Sequence, residues 1–167
     1  DNASRRRLGT SGLMAMQAKP NTISIDGQEI AFTAGQTIMD AALAAKIYIP
    51  HLCHYPGLRP SGNCRLCVVE ISNRSTAACI TPAVTGQEIR NNTPELNAIR
   101  KTITQMLFVE GNHICPSCEK TGNCKLQAMG YYLGMLDDHF PQFYQRREMD
   151  ASHAGILLDR SRCILCD

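Results

Sequence analysis

Nine cysteines fall into three groups along the chain, and their intervals are those of metal ligands. Cys53, Cys64, Cys67 and Cys79 are spaced C-x10-C-x2-C-x11-C. His113, Cys115, Cys118 and Cys124 make H-x-C-x2-C-x5-C, and Cys163 and Cys166 form a last C-x2-C. Soft thiolates select iron–sulfur clusters, zinc or Cu(I). Two complete four-ligand sets that share no residue point first to iron and sulfide, and so to electron transfer.

Other uses of cysteine fit less well. A zinc ribbon would need a second C-x2-C about 15–20 residues from Cys64 and Cys67, and none is there. A thioredoxin-like dithiol would place C-x2-C after a strand at a helix start. A disulfide framework needs an oxidising compartment, and nine thiols cannot all pair. A reducing, cytoplasmic compartment follows. For the first set, Cys53, Cys64 and Cys67 supply one compact loop and Cys79 arrives from a neighbouring strand. Gly57, Gly62 and Asn63 suit a backbone that must wrap sulfides and aim N–H groups at them.

The elements that must position these residues are readable. Thr22–Ile25 alternates, Asp26-Gly27 is a tight turn, and Ile30–Phe32 resumes the strand. Thr37 caps a helix carrying Ile38, Ala41, Ala42 and Ala45, with Asp40 in its first turn and Ile49-Pro50 at its end. After the loop at 51–67, Val68–Ile71 reads as a strand, Ser72–Arg74 as a turn and Thr76–Ile80 as its partner carrying Cys79. A last short strand falls near Val84 or Glu88-Ile89. Hairpin, helix and further strands in that order describe a small β-grasp domain over 21–92.

The second set belongs to a helical segment over 93–136. Thr93-Pro94 opens a helix with Leu96, Ile99, Ile103, Met106 and Leu107 on one face, and Gly111 stops it. The ligand loop follows, and Cys124 opens a helix with Leu126, Met129 and Leu133 on one side. The stretch 137–154 reads as irregular. The fold class is therefore α+β, a ferredoxin-like [2Fe–2S] β-grasp domain followed by a small helical domain that carries the His/Cys3 set. Residues 137–167 form a linker and the opening of another ferredoxin-type segment.

Two stretches carry a family resemblance. Ile49-Pro50-His51-Leu52-Cys53 and Gly62-Asn63-Cys64-Arg65-Leu66-Cys67-Val68-Val69-Glu70 resemble the N-terminal cluster region of the large iron–sulfur subunit family of complex I. That family includes N-terminal regions of [FeFe] hydrogenases, formate dehydrogenase alpha subunits and diaphorase subunits. The resemblance, over roughly Thr22 to Asp167, implies a [2Fe–2S] cluster on the first four cysteines. It also implies a [4Fe–4S] cluster on three cysteines and a histidine, usually spaced H-x3-C. Here Gly111 occupies that histidine's place, and the nearest imidazole is His113. The segment Glu110–Lys120 is similar to the branch of the family found in NAD-reducing [NiFe] hydrogenases, where the short spacing is expected. A lone loop histidine is more often a surface or hydrogen-bonded group, in which case the fourth position would be open or filled by water.

Asp159–Cys166 resembles the start of a bacterial C-x2-C-x2-C-x3-C site, which this sequence leaves incomplete. Without further ligands, Cys163 and Cys166 are two thiols in a tail. His51 and His54 read as surface groups or neighbours of a ligand, and His139 and His153 have no ligand neighbours in sequence.

Composition narrows the rest. The 167 residues are 44% hydrophobic but only 5% aromatic, a modest core that metal binding would help to fold. The formal charge of +2 comes from residues 1–20, where four cations face one anion; the remainder nets −1. That is no nucleic-acid footprint. Residues 1–20 read as a disordered tail, a vector-derived scar or part of a transit leader. No run approaches the roughly 18 apolar residues of a membrane span. No nucleotide fingerprint or acid–base constellation is present, so the chain itself has no substrate-turnover site.

The resemblance implies an electron relay between a flavin- and NAD-binding diaphorase subunit and hydrogenase subunits. The equivalent segment of complex I or of an NAD-dependent formate dehydrogenase is the nearest alternative. A zinc-stabilised interaction module is the alternative from another class.

Overall fold

The computed structural model describes residues 21–137, 140–143, 146–164 and 166. The tail at 1–20 and His139 lie outside the described residues.

The first half is a five-stranded sheet with one helix. Strands β1 (Thr22–Ile25) and β2 (Gln28–Ala31) form the expected hairpin. Its turn residues Asp26 and Gly27 both take positive φ, as a two-residue hairpin turn requires. Helix α1 (Ile38–Ala44) starts at a complete capping box between Thr37 and Asp40. Replacing such a cap with alanine costs about 1 kcal/mol. The helix ends earlier than Pro50: Lys46 turns left-handed, and its N–H and that of Ile47 donate to Leu43 and Ala42.

Strands β3 (Val68–Ile71) and β4 (Arg74–Ala77) make a second hairpin, and β5 (Glu88–Arg90) closes the sheet in the order β2-β1-β5-β3-β4. Only the β1–β5 pair is parallel. Ile23, Ile25, Ile38, Met39, Val69 and Ile89 fill the core between sheet and α1. Cys79 lies in the turn after β4 rather than on the strand, because β4 ends at Ala77.

Helix α2 (Pro94–Glu110) begins at Thr93 as the sequence predicts, but its buried face is rotated. Ile99 and Met106 are exposed, while Leu96, Arg100, Thr104 and Leu107 point inward. The reason is Arg100, whose guanidinium reaches distant backbone carbonyls and turns the helix around it. A 3₁₀ turn at Cys115–Ser117 leads to α3 (Lys125–Tyr132), with Cys124 as its N-cap residue and Leu126 and Met129 buried.

One apolar cluster gathers Leu52, Cys53, Cys64 and Leu66 from the first loop with Leu107, Leu126 and Met129 from the helices. The stretch after 137 is not wholly irregular: β6 (Asp150–His153) and β7 (Ile156–Leu158) pair around Ala154-Gly155. Almost all of that hairpin is exposed, so it leaves no apolar alternation in the sequence.

Candidate metal centres

The first four cysteines converge although 26 residues separate Cys53 from Cys79. All four are buried, at 0–5% exposure. Cys53 and Cys64 face each other in a reciprocal arrangement, each backbone N–H directed at the other's Sγ at 3.5 Å. The loop between them depends on Gly62, which has φ +70° and faces the Ile80 side chain so closely that a Cβ would lie 3.1 Å from it. Arg65, inside the C-x2-C, is also left-handed. These turns let one short segment present several N–H groups to sulfur. Cys79 is fixed from below: Ala78 N–H donates to Cys67 O, and Met39 N–H to Ala78 O.

Burial, followed by the nearby thiols of Cys67, Cys53 and Cys64, pushes Cys79 up to about 12. Cys64 is also raised, again chiefly by burial. Cys53 differs. Burial raises it, but the Cys64 N–H, the Ser61 hydroxyl, the Cys64 thiol and the Asn63 N–H together bring it below the ordinary thiol value. Four thiols acting on one another in a dry site form an unfavourable set unless a cation neutralises their ionised forms.

The second site is built from loops. Cys115, Cys118 and Cys124 are half-exposed and line one cavity of about 370 Å³ together with His113. That is roughly ten times the ~30 Å³ share of a liquid water, room for a group of several atoms. Burial, then Cys124 and Cys118, raises the Cys115 thiol. Lys120 N–H points at Cys118 Sγ at 3.5 Å, and the Thr121 hydroxyl donates to Cys115 O. Gly122 N–H donates to Gln127 Oε1 at 2.7 Å, tying the loop to α3.

The structure therefore brings His113 to the cavity, despite the short spacing. His113 N–H donates to Gly111 O, so the chain doubles back. The ring then lies over Gly111: a Cβ there would collide with Nε2 and lie 3.0 Å from Ser161 O. Gly111 has extended backbone angles, so close approach rather than helix termination accounts for glycine. Burial pushes the imidazole below its ordinary value, against the opposing pull of the Cys163 backbone and Glu110. A neutral imidazole is what metal ligation needs.

Cys163 is exposed and Cys166 half-exposed, and neither lines the cavity. Their segment still reaches the second site, since Ser161 O accepts from Asn112 N–H and Ile164 packs on the shared apolar cluster. His54 is not a surface group: it is 4% exposed, with Nε2 3.7 Å from Asp40 and Nδ1 without a partner among the described residues. His51 Nδ1 lies 2.7 Å from Ile49 O, and His153 is exposed. Among the described residues, no three His, Cys, Asp or Glu side chains close on the spacing of a single metal ion. A polynuclear cluster distributes its ligands over several irons.

Known proteins give these sites a class. Residues 18–94 match the family described as 2Fe-2S iron-sulfur cluster binding domain. Residues 100–139 match NADH-ubiquinone oxidoreductase-G iron-sulfur binding region. The chain is thus a mixed α+β iron–sulfur protein, a [2Fe–2S] domain followed by a [4Fe–4S] binding region, with both clusters as its cofactors.

More narrowly, it is homologous to the iron–sulfur subunit of NAD-reducing hydrogenases, and to the G-type subunit of NADH-quinone oxidoreductases. It is 41% identical over 144 residues to the gamma subunit of the NAD-reducing hydrogenase HoxS of Cupriavidus necator, covering 86% of this chain and 62% of that one. It is 33% identical over 146 residues to the G-type subunit of the NADH-quinone oxidoreductase of Rickettsia prowazekii, covering 85% of this chain and 21% of the relative. A crystal structure of NAD+-reducing [NiFe]-hydrogenase in the H2-reduced state superposes with a TM-score of 0.84 at 49% identity, over 87% of this chain and 62% of that one. The chain therefore spans less than two thirds of the relatives it matches. No helix among the described residues is long and apolar enough to cross a membrane.

Proposed function

We propose that the chain is the electron-relaying part of an NAD-reducing [NiFe] hydrogenase, acting in a reducing cytoplasmic compartment as an electron-transfer subunit without a turnover site of its own. In this reading Cys53, Cys64, Cys67 and Cys79 hold [2Fe–2S] on a β-grasp domain spanning 21–92. His113, Cys115, Cys118 and Cys124 hold [4Fe–4S] on the helical segment 93–136. Cys163 and Cys166 begin a further ferredoxin-type site that needs additional ligands. A flavin- and NAD-binding diaphorase subunit and the hydrogenase subunits are its partners.

The observation that carries this reading is the placement of His113, two residues before Cys115, on the cavity lined by three cysteines. The clusters supply one-electron chemistry when bound. The chain's own contribution is to exclude water from the first set, direct N–H groups at Cys53, Cys64 and Cys118, and hold the His113 imidazole below its ordinary value by burying it. The identity to the hydrogenase gamma subunit, higher than that to the quinone enzyme's G-type subunit, favours the hydrogenase.

Anaerobic purification followed by metal and acid-labile sulfide analysis tests the assignment. About six irons and a near-equal amount of sulfide per chain are expected. Stoichiometric zinc without sulfide would replace this reading with a zinc-stabilised module.

A further inference from the structure

Arg100 is 1% exposed, and its charge is unusual in having no carboxylate partner among the described residues. All five of its donors are used, each on a neutral oxygen. Nε–H donates to Leu66 O at 3.1 Å. Nη1 donates to Asn91 O at 2.8 Å and to Asn97 Oδ1 at 3.0 Å. Nη2 donates to Val68 O at 2.6 Å and to Asn91 Oδ1 at 2.8 Å.

Two of these carbonyls, Leu66 and Val68, flank Cys67. A helix of the second segment therefore grips the cluster loop of the first on both sides of a cysteine. Burying a guanidinium is costly unless an opposite charge lies within its field. Hydrogen bonds to carbonyls satisfy its donors but leave its net charge intact. Burial lowers the affinity of Arg100 for its proton, and Tyr132, Cys67, Asp26 and Tyr48 oppose that effect. Of these, Asp26 spends its carboxylate on the N–H groups of Asn91 and Asn92. Cys67 belongs to a set that turns anionic as a whole when metal binds.

We propose that Arg100 is a positioning residue for the first metal centre: it clamps the backbone on either side of Cys67 and is the buried counter-charge that sets the centre's reduction potential. This rests on the assignment of [2Fe–2S] to Cys53, Cys64, Cys67 and Cys79. Reduction adds one electron, and so one negative charge, to a site already anionic through its thiolates. A fixed cation beside it favours the reduced form. Removing the cation makes reduction harder and moves the midpoint negative.

EPR-monitored redox titration of the full chain, with its clusters assembled, tests this. In Arg100→Gln the ratio of reduced to oxidised [2Fe–2S] at the unsubstituted chain's midpoint should fall about tenfold, a shift of about 59 mV for one electron. Arg100→Lys, which keeps the charge, should stay near the unsubstituted value. Asn97→Asp leaves Arg100 in place: Asn97 is half-buried, and the aspartate keeps an acceptor for Nη1 while giving up the 2.8 Å donation from Nδ2 to Asn92 Oδ1 at the exposed end of the side chain. Its new carboxylate should move the midpoint negative by a smaller amount, and the [4Fe–4S] midpoint should stay put.

An assembled [2Fe–2S] centre with an unchanged midpoint in both Arg100→Gln and Asn97→Asp would overturn the proposal. If Arg100→Gln fails to assemble, an unchanged midpoint in Asn97→Asp is sufficient to do so. Absence of any [2Fe–2S] signal from the unsubstituted chain would instead overturn the ligand assignment, and this inference with it.

Discussion

The two metal centres are built in opposite ways. Cys53, Cys64, Cys67 and Cys79 sit inside packed apolar clusters, with Leu52 and Leu66 on one side and Ile38, Met39 and Val69 on the other. Cys115, Cys118 and Cys124 are half-exposed around an open cavity, held by short turns and a 3₁₀ segment. The first centre is part of the core, so the same contacts that fold the sheet pre-place its thiols. The second depends on loop hydrogen bonds and on the close seating of His113 over Gly111. Core packing gives rigidity and a dry site; loop construction leaves a site whose final order depends more on the metal it receives.

The largest expected effect breaks the first centre alone. Under the ligand assignment proposed above, Cys64→Ser removes a ligand and puts a hydroxyl in the shared apolar cluster, so the [2Fe–2S] EPR signal should disappear. The [4Fe–4S] signal should persist, because no ligand is shared, while thermal stability falls. Equal loss of both clusters would show that the shared Leu52–Leu126 packing makes them one metal-dependent unit.

Gly111→Ala is the reciprocal test. Its extended backbone accepts alanine, but the new Cβ collides with His113 Nε2 and crowds Ser161 O. Most of the [4Fe–4S] content should be lost, with the [2Fe–2S] signal at its normal intensity. Full retention of both would mean that the ring's seat on Gly111 has no bearing on the second centre.

The smallest of these effects is electronic. If His113 ligates as proposed, His113→Cys exchanges a neutral ligand for an anionic one, so the second cluster should remain assembled with a more negative midpoint. An unchanged midpoint would make His113 a bystander.

What could be read from the sequence is what local chemistry decides. The Asp26-Gly27 turn, the Thr37 cap with Asp40 in the first turn and the Thr93-Pro94 helix start each act over a few residues, and each is present. Cysteine spacing is legible for the same reason, since a cluster loop must span a fixed distance. The face of α2 is not legible. Arg100 is held by carbonyls 32 and 34 residues away, and no periodicity announces a buried arginine. His54 is buried by its tertiary surroundings rather than by any pattern at its own position. Gly111 reads as a helix stop, and only the fold-back of His113 reveals the contact that requires it.

Mössbauer spectroscopy of the iron-57-loaded full chain, purified without air and then reduced with dithionite, tests the central claim most directly. About one third of the iron should give the localised-valence signature of a reduced [2Fe–2S] centre, and about two thirds the signature of a cubane with one distinct iron site. Iron in a single cluster type, or in mononuclear sites only, would contradict the claim that this chain holds a core-built [2Fe–2S] centre and a loop-built [4Fe–4S] centre side by side.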